Sequence, residues 1–253
     1  MRVRQVHDVL GGLARSYLFE GLAREELGPL AATATTRTTV RGEYVCHFGD
    51  PAHDLYVILS GELKTSVTDA DGAEVIHRLH GPGMTLGEPG FFAIERTRIV
   101  DVVTMTPAVL IRLSRRELTP FLQSHPSVKD RALEGLASAN RWQTTVISSL
   151  LSRSLADRLL LRLLELVDSS PKGRSGPAAT PKISQSTLAG MVGVSRENVN
   201  RVLSTLATDG AIRQENGRYV VVDERRVRRE LARDWPLAQS RDHRLPAETP
   251  PGR

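Results

Sequence analysis

The stretch ISQSTLAGMVGVSRENVNRVLSTLATDG, residues 183–210, decides the fold of the last third of the chain. Its apolar residues recur at helical spacing in two segments, which predicts helices over about Gln185–Met191 and Arg196–Leu206. Gly193 between them permits the positive φ of a sharp turn, because glycine has no Cβ. Ser195 is a natural N-cap for the second helix, since its hydroxyl can accept from a free backbone N–H. These signals predict two helices joined by a tight turn.

Small and apolar residues between the two predicted helices indicate a helix-turn-helix motif. Ala189 lets the helices approach closely, and Val194 is placed to fill the space between them. Counted from Gln185, four residues have the 5-9-15-18 spacing of the motif: Ala189, Gly193, Val199 and Val202. In such a motif the second helix lies in the major groove of DNA, and its N-terminal residues meet base edges.

Polar residues at the start of the second helix are candidates for reading DNA. They are Ser195, Arg196, Glu197, Asn200 and Arg201. Arginine can pair bidentately with guanine, and glutamate can accept from the amino group of cytosine. A carboxylate beside phosphates is unfavourable unless it reads a base, so Glu197 favours sequence-specific reading. The other interpretation, compatible with the first, is that Glu197 is a helix N-terminal charge that pairs with Arg201 at i,i+4.

The positive charge of the chain is concentrated in its last third. Residues 171–253 contain 15 Lys and Arg against 9 Asp and Glu, whereas the other residues contain 19 against 20. This asymmetry is typical of a nucleic-acid-binding module, although a basic tail that keeps a protein soluble has the same balance. With the helix-turn-helix motif, it predicts double-stranded DNA as a partner.

Composition and the missing motifs limit the other classes. The 253 residues, 40% of them hydrophobic, suffice for one large or two ordinary domains. No apolar run approaches about 18 residues and the N-terminus is unlike a secretory signal, so we expect a cytoplasmic protein with no membrane partner. Cys46 is the single cysteine, which excludes an intramolecular disulfide. The chain has no P-loop, nucleophile elbow or metal-ligand cluster after the β-rich region, so we expect neither an enzyme nor a bound metal.

The rest of the chain predicts an α+β fold. Residues 1–35 show short helical patterns, and from about Thr36 to Leu113 short β-rich runs are cut by Gly, Pro and Asp, which predicts a small barrel or sandwich. From about Val128 to Val167 the spacing is helical and no proline occurs. A heptad stripe with a polar interruption runs along this segment: Leu133, Leu136, Asn140, Gln143, Ile147 and Leu150. We interpret the stripe as the seam of a homodimer; the alternative is a long helix packed on its own domain.

The predicted domains follow from these patterns. Residues 1–125 form an N-terminal sensor with flanking helices, and 126–168 a long dimerisation helix. Residues 169–235 form a winged helix-turn-helix domain that begins with a Ser-, Gly- and Pro-rich linker over 169–182 and ends in a hairpin around Asn216-Gly217. Residues 236–253 are predicted to be disordered.

The chain resembles the CRP/FNR family of transcription regulators over about residues 15–232, and three stretches carry the resemblance. SRENVNRVL, from Ser195, is similar to the recognition helix of the family. GDPAHDLYVILSGELK, from Gly49, resembles the entry to its cyclic-nucleotide-binding β-roll, and GEPGFFAIERTRIV, from Gly87, resembles its phosphate-binding cassette. The resemblance implies a homodimer that responds to a ligand, reads an inverted repeat of TGTGA-like half-sites through Arg196, Glu197 and Arg201, and, as an activator, contacts RNA polymerase.

The cassette has the chemistry of a nucleotide site. Gly87 and Gly90 free the backbone to approach a ligand, Glu88 can accept a ribose hydroxyl, and Arg96 and Thr97 can hold a phosphate. By resemblance, Gln143 and Thr144 fall where cyclic-AMP-responsive members hold the adenine. The cassette departs from the family pattern in three ways: Pro89 replaces a leucine, Arg98 replaces a small alanine, and the stretch between Phe92 and Arg96 is shorter than in the cyclic-AMP-responsive members. We expect cyclic AMP or another cyclic nucleotide.

Several alternatives stay open. The β-roll can take another ligand or none, which makes the protein a ligand-independent regulator. A haem or gas sensor of the same architecture is a further alternative, with candidate ligands in the β-rich region at Cys46, His47, His77 and His80, although His77 and His80 are expected to face solvent. An enzyme under a cyclic-nucleotide domain and a nucleoid-type protein without sequence preference fit the motifs less well.

Overall fold

The computed structural model describes residues 8–168 and 179–233. Most of the predicted linker over 169–182 and all of the predicted disordered tail over 236–253 lie outside these described residues. Two compact units divide the chain: Met1–Val67 with His77–Ala137, and Thr68–Ile76 with Ser138–Arg253. Within the described ranges, no helix is long and apolar enough to span a membrane.

The predicted barrel-like region is a β-roll of two antiparallel four-stranded sheets. In the first sheet, the strand order is β1-β8-β3-β6, and in the second it is β2-β7-β4-β5. The strands are β1 Thr35–Thr39, β2 Tyr44–Cys46, β3 Asp54–Ser60, β4 Leu63–Thr68, β5 Glu74–His80, β6 Thr85–Leu86, β7 Asp101–Thr104 and β8 Ala108–Ser114. The order places strands that are distant in sequence side by side, as β3 and β8 are, where Leu55 pairs with Leu113.

Strand β3 is buried on both of its faces. Leu55 and Val57 face a cluster of helical residues, whereas Tyr56 and Ile58 face the interior of the β-roll. All four side chains are at most 7% exposed. The alternation that the sequence shows along this strand therefore separates two apolar cores rather than a core from solvent.

Helices cover the outer face of the first sheet. They are α1 Val9–Ala14, α2 Arg24–Thr33, α4 Arg115–Ser124 and the start of α5 Pro126–Ser152, with a 3₁₀ turn at Tyr17–Phe19 and a short α3 at Glu88–Phe92. Phe19, Leu27 and Leu118 are at the centre of this core, and each is fully buried. The 3₁₀ turn is fixed by these contacts, because Phe19 packs edge-on against Phe121 at 6.0 Å.

The helix predicted over 126–168 is two helices. Helix α5 ends at Ser152, and α6 runs over Leu155–Asp168. Ser154 caps α6, since its Oγ accepts from the Asp157 N–H at 3.2 Å and donates to the Asp157 carboxylate at 2.8 Å. The apolar spacing continues through this cap, so periodicity alone did not reveal the break.

The second unit has the predicted helix-turn-helix and wing. Its elements after α6 are α7 Gln185–Val192, α8 Arg196–Thr208, β9 Ile212–Glu215, β10 Arg218–Val221 and α9 Glu224–Arg233. Strands β9 and β10 pair around Asn216 and Gly217, which have φ values of 50° and 77°. This is the two-residue hairpin turn that the Asn-Gly pair predicts.

Candidate nucleic-acid interface and ligand cassette

Helices α7 and α8 are joined by the turn that the sequence predicts. Gly193 has a φ of 70°, and its N–H donates to the carbonyl of Ala189 at 2.9 Å. Ser184 caps α7, with the Thr187 N–H donating to its Oγ at 3.0 Å. Ser195 caps α8, because its Oγ accepts from the Asn198 N–H at 3.3 Å. Each helix therefore starts at a side-chain cap that satisfies one of its free backbone N–H groups.

Apolar contacts hold α8 in place. Val199 is fully buried and Ala189 is 7% exposed, whereas Val194 and Val202 are half-buried. Leu203 continues the buried face of α8. Packing of this buried face therefore holds α8 in place with its opposite face toward solvent.

The polar residues at the start of α8 are exposed on one surface. Arg196, Glu197, Asn200 and Arg201 all face solvent. Arg201 donates to the Asn198 side-chain oxygen at 2.8 Å, and within the described residues no ion pair joins it to Glu197. The i,i+4 pairing that was the alternative role of Glu197 is thus not formed, and both charges are available to a partner.

A groove lies beside this surface, where the starts of α7 and α8 meet the wing. Its volume is about 400 Å³, and it is lined by Ile183, Ser184, Gln185, Ser186, Arg196, Gln214 and Tyr219. Gln185 donates to the Asn200 side-chain oxygen at 3.0 Å and so links the two helices across the groove. Sequence reasoning missed the role of Gln185, although its place in the first turn of α7 signals a residue that faces α8.

The glycines of the cassette approach protein atoms closely. Gly87 has a φ of 101° and precedes α3, and a side chain there would meet the Arg98 guanidinium. A side chain at Gly90 would meet the backbone of Thr97 and the Cβ of Ala52. The position of Gly87 therefore favours glycine through its positive φ and that of Gly90 through close packing, in addition to the approach to a ligand that the sequence predicts.

The carboxylate of Glu88 is turned into the protein. The residue is 9% exposed, and its Oε1 accepts from the Tyr17 hydroxyl at 3.2 Å and from the Thr85 hydroxyl. Burial raises the pKa of Glu88 to about 7, and the hydrogen bonds and the charge of Arg98 offset only part of the effect. Burial beside this carboxyl also raises the pKa of Tyr17.

At the C-terminal end of the cassette, two residues are exposed and the third is buried. Arg96 and Thr97 are exposed, and Arg96 has a φ of 53°. Arg98 is 6% exposed, and its guanidinium donates to the carbonyl oxygens of Asp54 at 2.7 Å and Gly87 at 3.5 Å. An arginine where the family has a small residue thus occupies space under the cassette.

The structure assembles part of the predicted ligand site in one unit. Gly87, Glu88, Arg96 and Thr97 belong to the cassette around α3. Gln143 and Thr144 lie on α5 within the other compact unit, where both are exposed. Their role toward a ligand stays a prediction.

Among the candidate haem ligands in the β-roll, Cys46 is buried and His80 is half-buried. Burial raises the pKa of the Cys46 thiol. The expectation that His80 faces solvent is wrong: its Nε2 lies 3.1 Å from the Thr65 hydroxyl, and burial lowers its pKa to about 3. Within the residues that the structure describes, no three His, Cys, Asp or Glu side chains gather as a metal site.

Two protein families match the two halves of this architecture. The cyclic nucleotide-binding domain matches residues 36–125, and the Crp-like helix-turn-helix domain matches residues 157–230. These ranges coincide with the β-roll and its cassette, and with the segment from α6 to α9.

Known proteins resemble the chain over most of its length. The CRP-like cAMP-activated global transcriptional regulator of Mycobacterium tuberculosis is 28% identical over 218 residues, which is 86% of this chain and 97% of that protein. The cyclic AMP receptor protein of Thermus thermophilus is 30% identical over 217 residues, with the same two shares. The solved structure of the c-di-GMP-responsive global regulator CLP of Xanthomonas campestris is 28% identical, with a TM-score of 0.66, and the match covers 79% of this chain and all of that one.

These relatives are regulators of transcription, a class without enzymatic activity. With a β-roll that matches the cyclic nucleotide-binding domain and a helix-turn-helix with capped, packed helices, the chain belongs to the CRP/FNR family of transcription regulators.

Proposed function

We propose that the protein is a homodimer that reads an inverted repeat of TGTGA-like half-sites under the control of an effector in its β-roll. The observation that carries this proposal is the exposed charged start of α8, presented on a helix whose other face is buried. Two-fold symmetry requires half-sites roughly 10–11 base pairs apart, centre to centre. As an activator, such a dimer also contacts RNA polymerase.

In the proposed complex, Arg196 and Arg201 each pair with a guanine and Glu197 accepts from a cytosine. Asn200 keeps its hydrogen bond to Gln185, which holds α7 and α8 together at the protein–DNA interface. The hydroxyls of Ser184 and Ser186 line the groove at the start of α7, where backbone phosphates of DNA are favoured. Base contacts then set the sequence, and phosphate contacts set the register.

Glu197→Ala tests whether α8 reads bases. Removal of one negative charge should strengthen non-specific binding, but a base-reading Glu197 also predicts a loss of about 1–3 kcal/mol of discrimination at one base pair. The measurement is binding of wild type and variant to a selected site and its single-base-pair variants. Asp209→Ala is the control, because it removes the same charge at the opposite end of α8. Identical preference profiles for wild type and Glu197→Ala would contradict base reading.

The dimer is proposed from the surface of α5. Leu133 is 64% exposed, Ile147 58% and Leu150 49%, and Asn140 and Gln143 between them are exposed as well. Heptad spacing places these side chains on one stripe, and a second copy of the same helix covers such a stripe with matching residues. Leu151, 85% exposed, lies beside the stripe and widens the apolar surface.

We propose cyclic AMP, or another cyclic nucleotide, as the effector. Relatives from Mycobacterium tuberculosis and Thermus thermophilus are named for cyclic AMP. In the cassette, the exposed Arg96 is the candidate partner of the phosphate, with Thr97 beside it. A ligand-independent regulator is the second candidate, because the buried Glu88 is already hydrogen-bonded and Arg98 lies beneath the cassette.

Arg96→Ala separates these two candidates. A phosphate that loses its charged partner should bind at least about tenfold more weakly, since charge-assisted hydrogen bonds are among the stronger ones. Calorimetric titration of wild type and variant with cyclic AMP measures the change. Arg41→Ala, an exposed arginine in the turn before β2, is the control. Equal binding by wild type and Arg96→Ala would remove Arg96 from the site, and no binding of any cyclic nucleotide by wild type would favour the ligand-independent regulator.

A further inference from the structure

Tyr17 connects the cassette to the N-terminal helical segment. It lies in the 3₁₀ turn Tyr17–Phe19 and is 6% exposed. Its hydroxyl is 3.2 Å from Glu88 Oε1 and 3.2 Å from Thr85 Oγ1, and Thr85 donates to the same carboxylate oxygen. A carboxylate oxygen has two lone pairs, so both acceptor positions of Oε1 are taken by protein hydroxyls.

The same tyrosine contacts α5 at a glycine. A Cβ at Gly135 would lie 2.6 Å from the Tyr17 hydroxyl oxygen and 3.3 Å from two ring carbons. The ring therefore rests directly on the backbone of α5, and only glycine leaves room for it. Helix α5 continues from Gly135 to the proposed dimer seam around Ile147.

We propose that Tyr17 is a positioning residue that couples the ligand cassette to α5: its hydroxyl holds Glu88 while its ring seats on Gly135. A ligand hydroxyl that takes Oε1 of Glu88 displaces the Tyr17 hydroxyl, and the ring then shifts against α5. Because of this competition, the ligand binds with different affinity to the protein with Tyr17 on Glu88 and to the protein with Tyr17 displaced. Such a difference in affinity is required for a ligand to shift a conformational equilibrium. The inference rests on the proposed function, because it assumes that the cassette controls the dimer.

The charged and titratable groups around this contact are few. Glu88 faces Tyr17 directly, the charge of Arg78 acts on Tyr17 from β5, and that of Arg98 acts on Glu88 from beneath the cassette. Thr85 is the one hydroxyl neighbour from β6. Loss of the Tyr17 hydroxyl thus leaves these charges in place and removes the hydrogen bonds that hold the ring, which contacts α5, to Glu88 and Thr85.

The first measurement is amide hydrogen exchange of α5 near Gly135 in the full chain. Tyr17→Phe should raise the exchange rates there at least about threefold, since coupling energies are typically equivalent to fivefold or more. Thr85→Val is the matched control, because it removes a hydroxyl that contacts both Oε1 and Tyr17 but keeps the Tyr17 hydroxyl between Glu88 and Gly135, and it should leave α5 exchange unchanged. Equal effects of the two variants, or no effect of Tyr17→Phe, would overturn the proposal.

Gly135→Ala provides a second test, because it should change the exchange rate of α5 in opposite directions with and without the Tyr17 hydroxyl. Alanine favours a helix over glycine, so the substitution alone is expected to slow exchange in α5. The clash with the Tyr17 hydroxyl predicts the opposite, faster exchange. In the Tyr17→Phe background the nearest clashing atom is gone, so Gly135→Ala should slow exchange. The same sign in both backgrounds would show that Tyr17 does not seat on Gly135.

The second measurement is the affinity for a selected DNA site, with and without cyclic AMP. Tyr17→Phe should change the ligand-free affinity at least about threefold, whereas Thr85→Val should not. If the protein binds DNA but not cyclic AMP, the comparison of ligand-free DNA affinities still tests whether Tyr17 couples the cassette to α5. A wild type that binds no selected DNA contradicts the proposed function, and the exchange measurements then decide the coupling alone.

Discussion

Replacing Ile147 with aspartate is expected to convert the dimer into monomers. The side chain is 58% exposed on α5 and lies at the centre of the apolar end of the stripe, between Gln143 and Leu150. In a symmetric pair of helices, each residue of the seam lies near its own copy, so the two carboxylates would be brought together away from water. Breaking a seam with an unpaired buried charge costs about 3–5 kcal/mol.

A cost of that size weakens dimerisation by roughly a hundredfold to several thousandfold. Sedimentation equilibrium of the full chain should then show monomers at concentrations where wild type is a dimer. Affinity for an inverted repeat should fall with it, whereas affinity for a single half-site should not change. Val40→Asp is the control, because Val40 is 66% exposed in the β-roll and outside α5. An unchanged dimer of Ile147→Asp would rule out the stripe as the seam.

The helix-turn-helix was predictable because each of its signals is local. Gly193 alone permits the φ of the turn, and Ser195 caps α8 through an N–H three residues away. The predicted helices end within two residues of the observed ones, at Val192 and Thr208. The order of β-roll, long helix and helix-turn-helix also follows from periodicity and from the resemblance, and the family matches confirm it.

The break between α5 and α6 shows what periodicity misses. Leucines continue at helical spacing on both sides of Ser154, so the pattern predicts one helix. The cap formed by Ser154 and Asp157 is a local signal of a helix start. It lies inside an apolar run whose helical spacing is the same on both sides, so the spacing does not reveal where one helix ends and the next begins. The helix is interrupted there without any proline or glycine.

The interior of the cassette was not predictable from sequence. Glu88 bonds to Tyr17, which is 71 residues away, and Arg98 bonds to the carbonyl of Asp54, 44 residues away. No spacing rule relates such residues, because the fold of the β-roll brings them together. The sequence therefore identified Glu88 and Arg96 as an acidic and a basic group of the cassette, but it could not show that one is buried and the other exposed.

The burial of Glu88 predicts a large dependence of stability on pH. Its pKa is raised to about 7 in the folded protein, against an ordinary value of 4.5, because a charged carboxylate is poorly solvated there. Between these two values the folded state holds a proton that the unfolded state releases. Stability from this group is therefore fully present below about pH 4.5 and is lost as the pH rises through 7.

The expected loss is about 2–3 kcal/mol between pH 5 and pH 8, from a shift of this size. That is a large fraction of the stability of an ordinary domain. His80 has the opposite effect: its pKa is lowered to about 3, so its contribution is present above about pH 6.5 and falls as the solution becomes acidic. Wild type alone would show the sum of the two.

Glu88→Gln isolates the carboxyl group. Glutamine is neutral at every pH and keeps a side-chain oxygen that can accept from Tyr17 and Thr85. Both proteins contain His80, so its contribution cancels in the difference between their free energies of unfolding. Urea unfolding of the full chains at pH 5 and pH 8, followed by circular dichroism, should show that difference change by about 2–3 kcal/mol in favour of the variant. Parallel pH profiles would mean that Glu88 ionises at its ordinary pKa, and that the oxygen shared by Tyr17 and Thr85 belongs to a mostly charged carboxylate from pH 5 to pH 8.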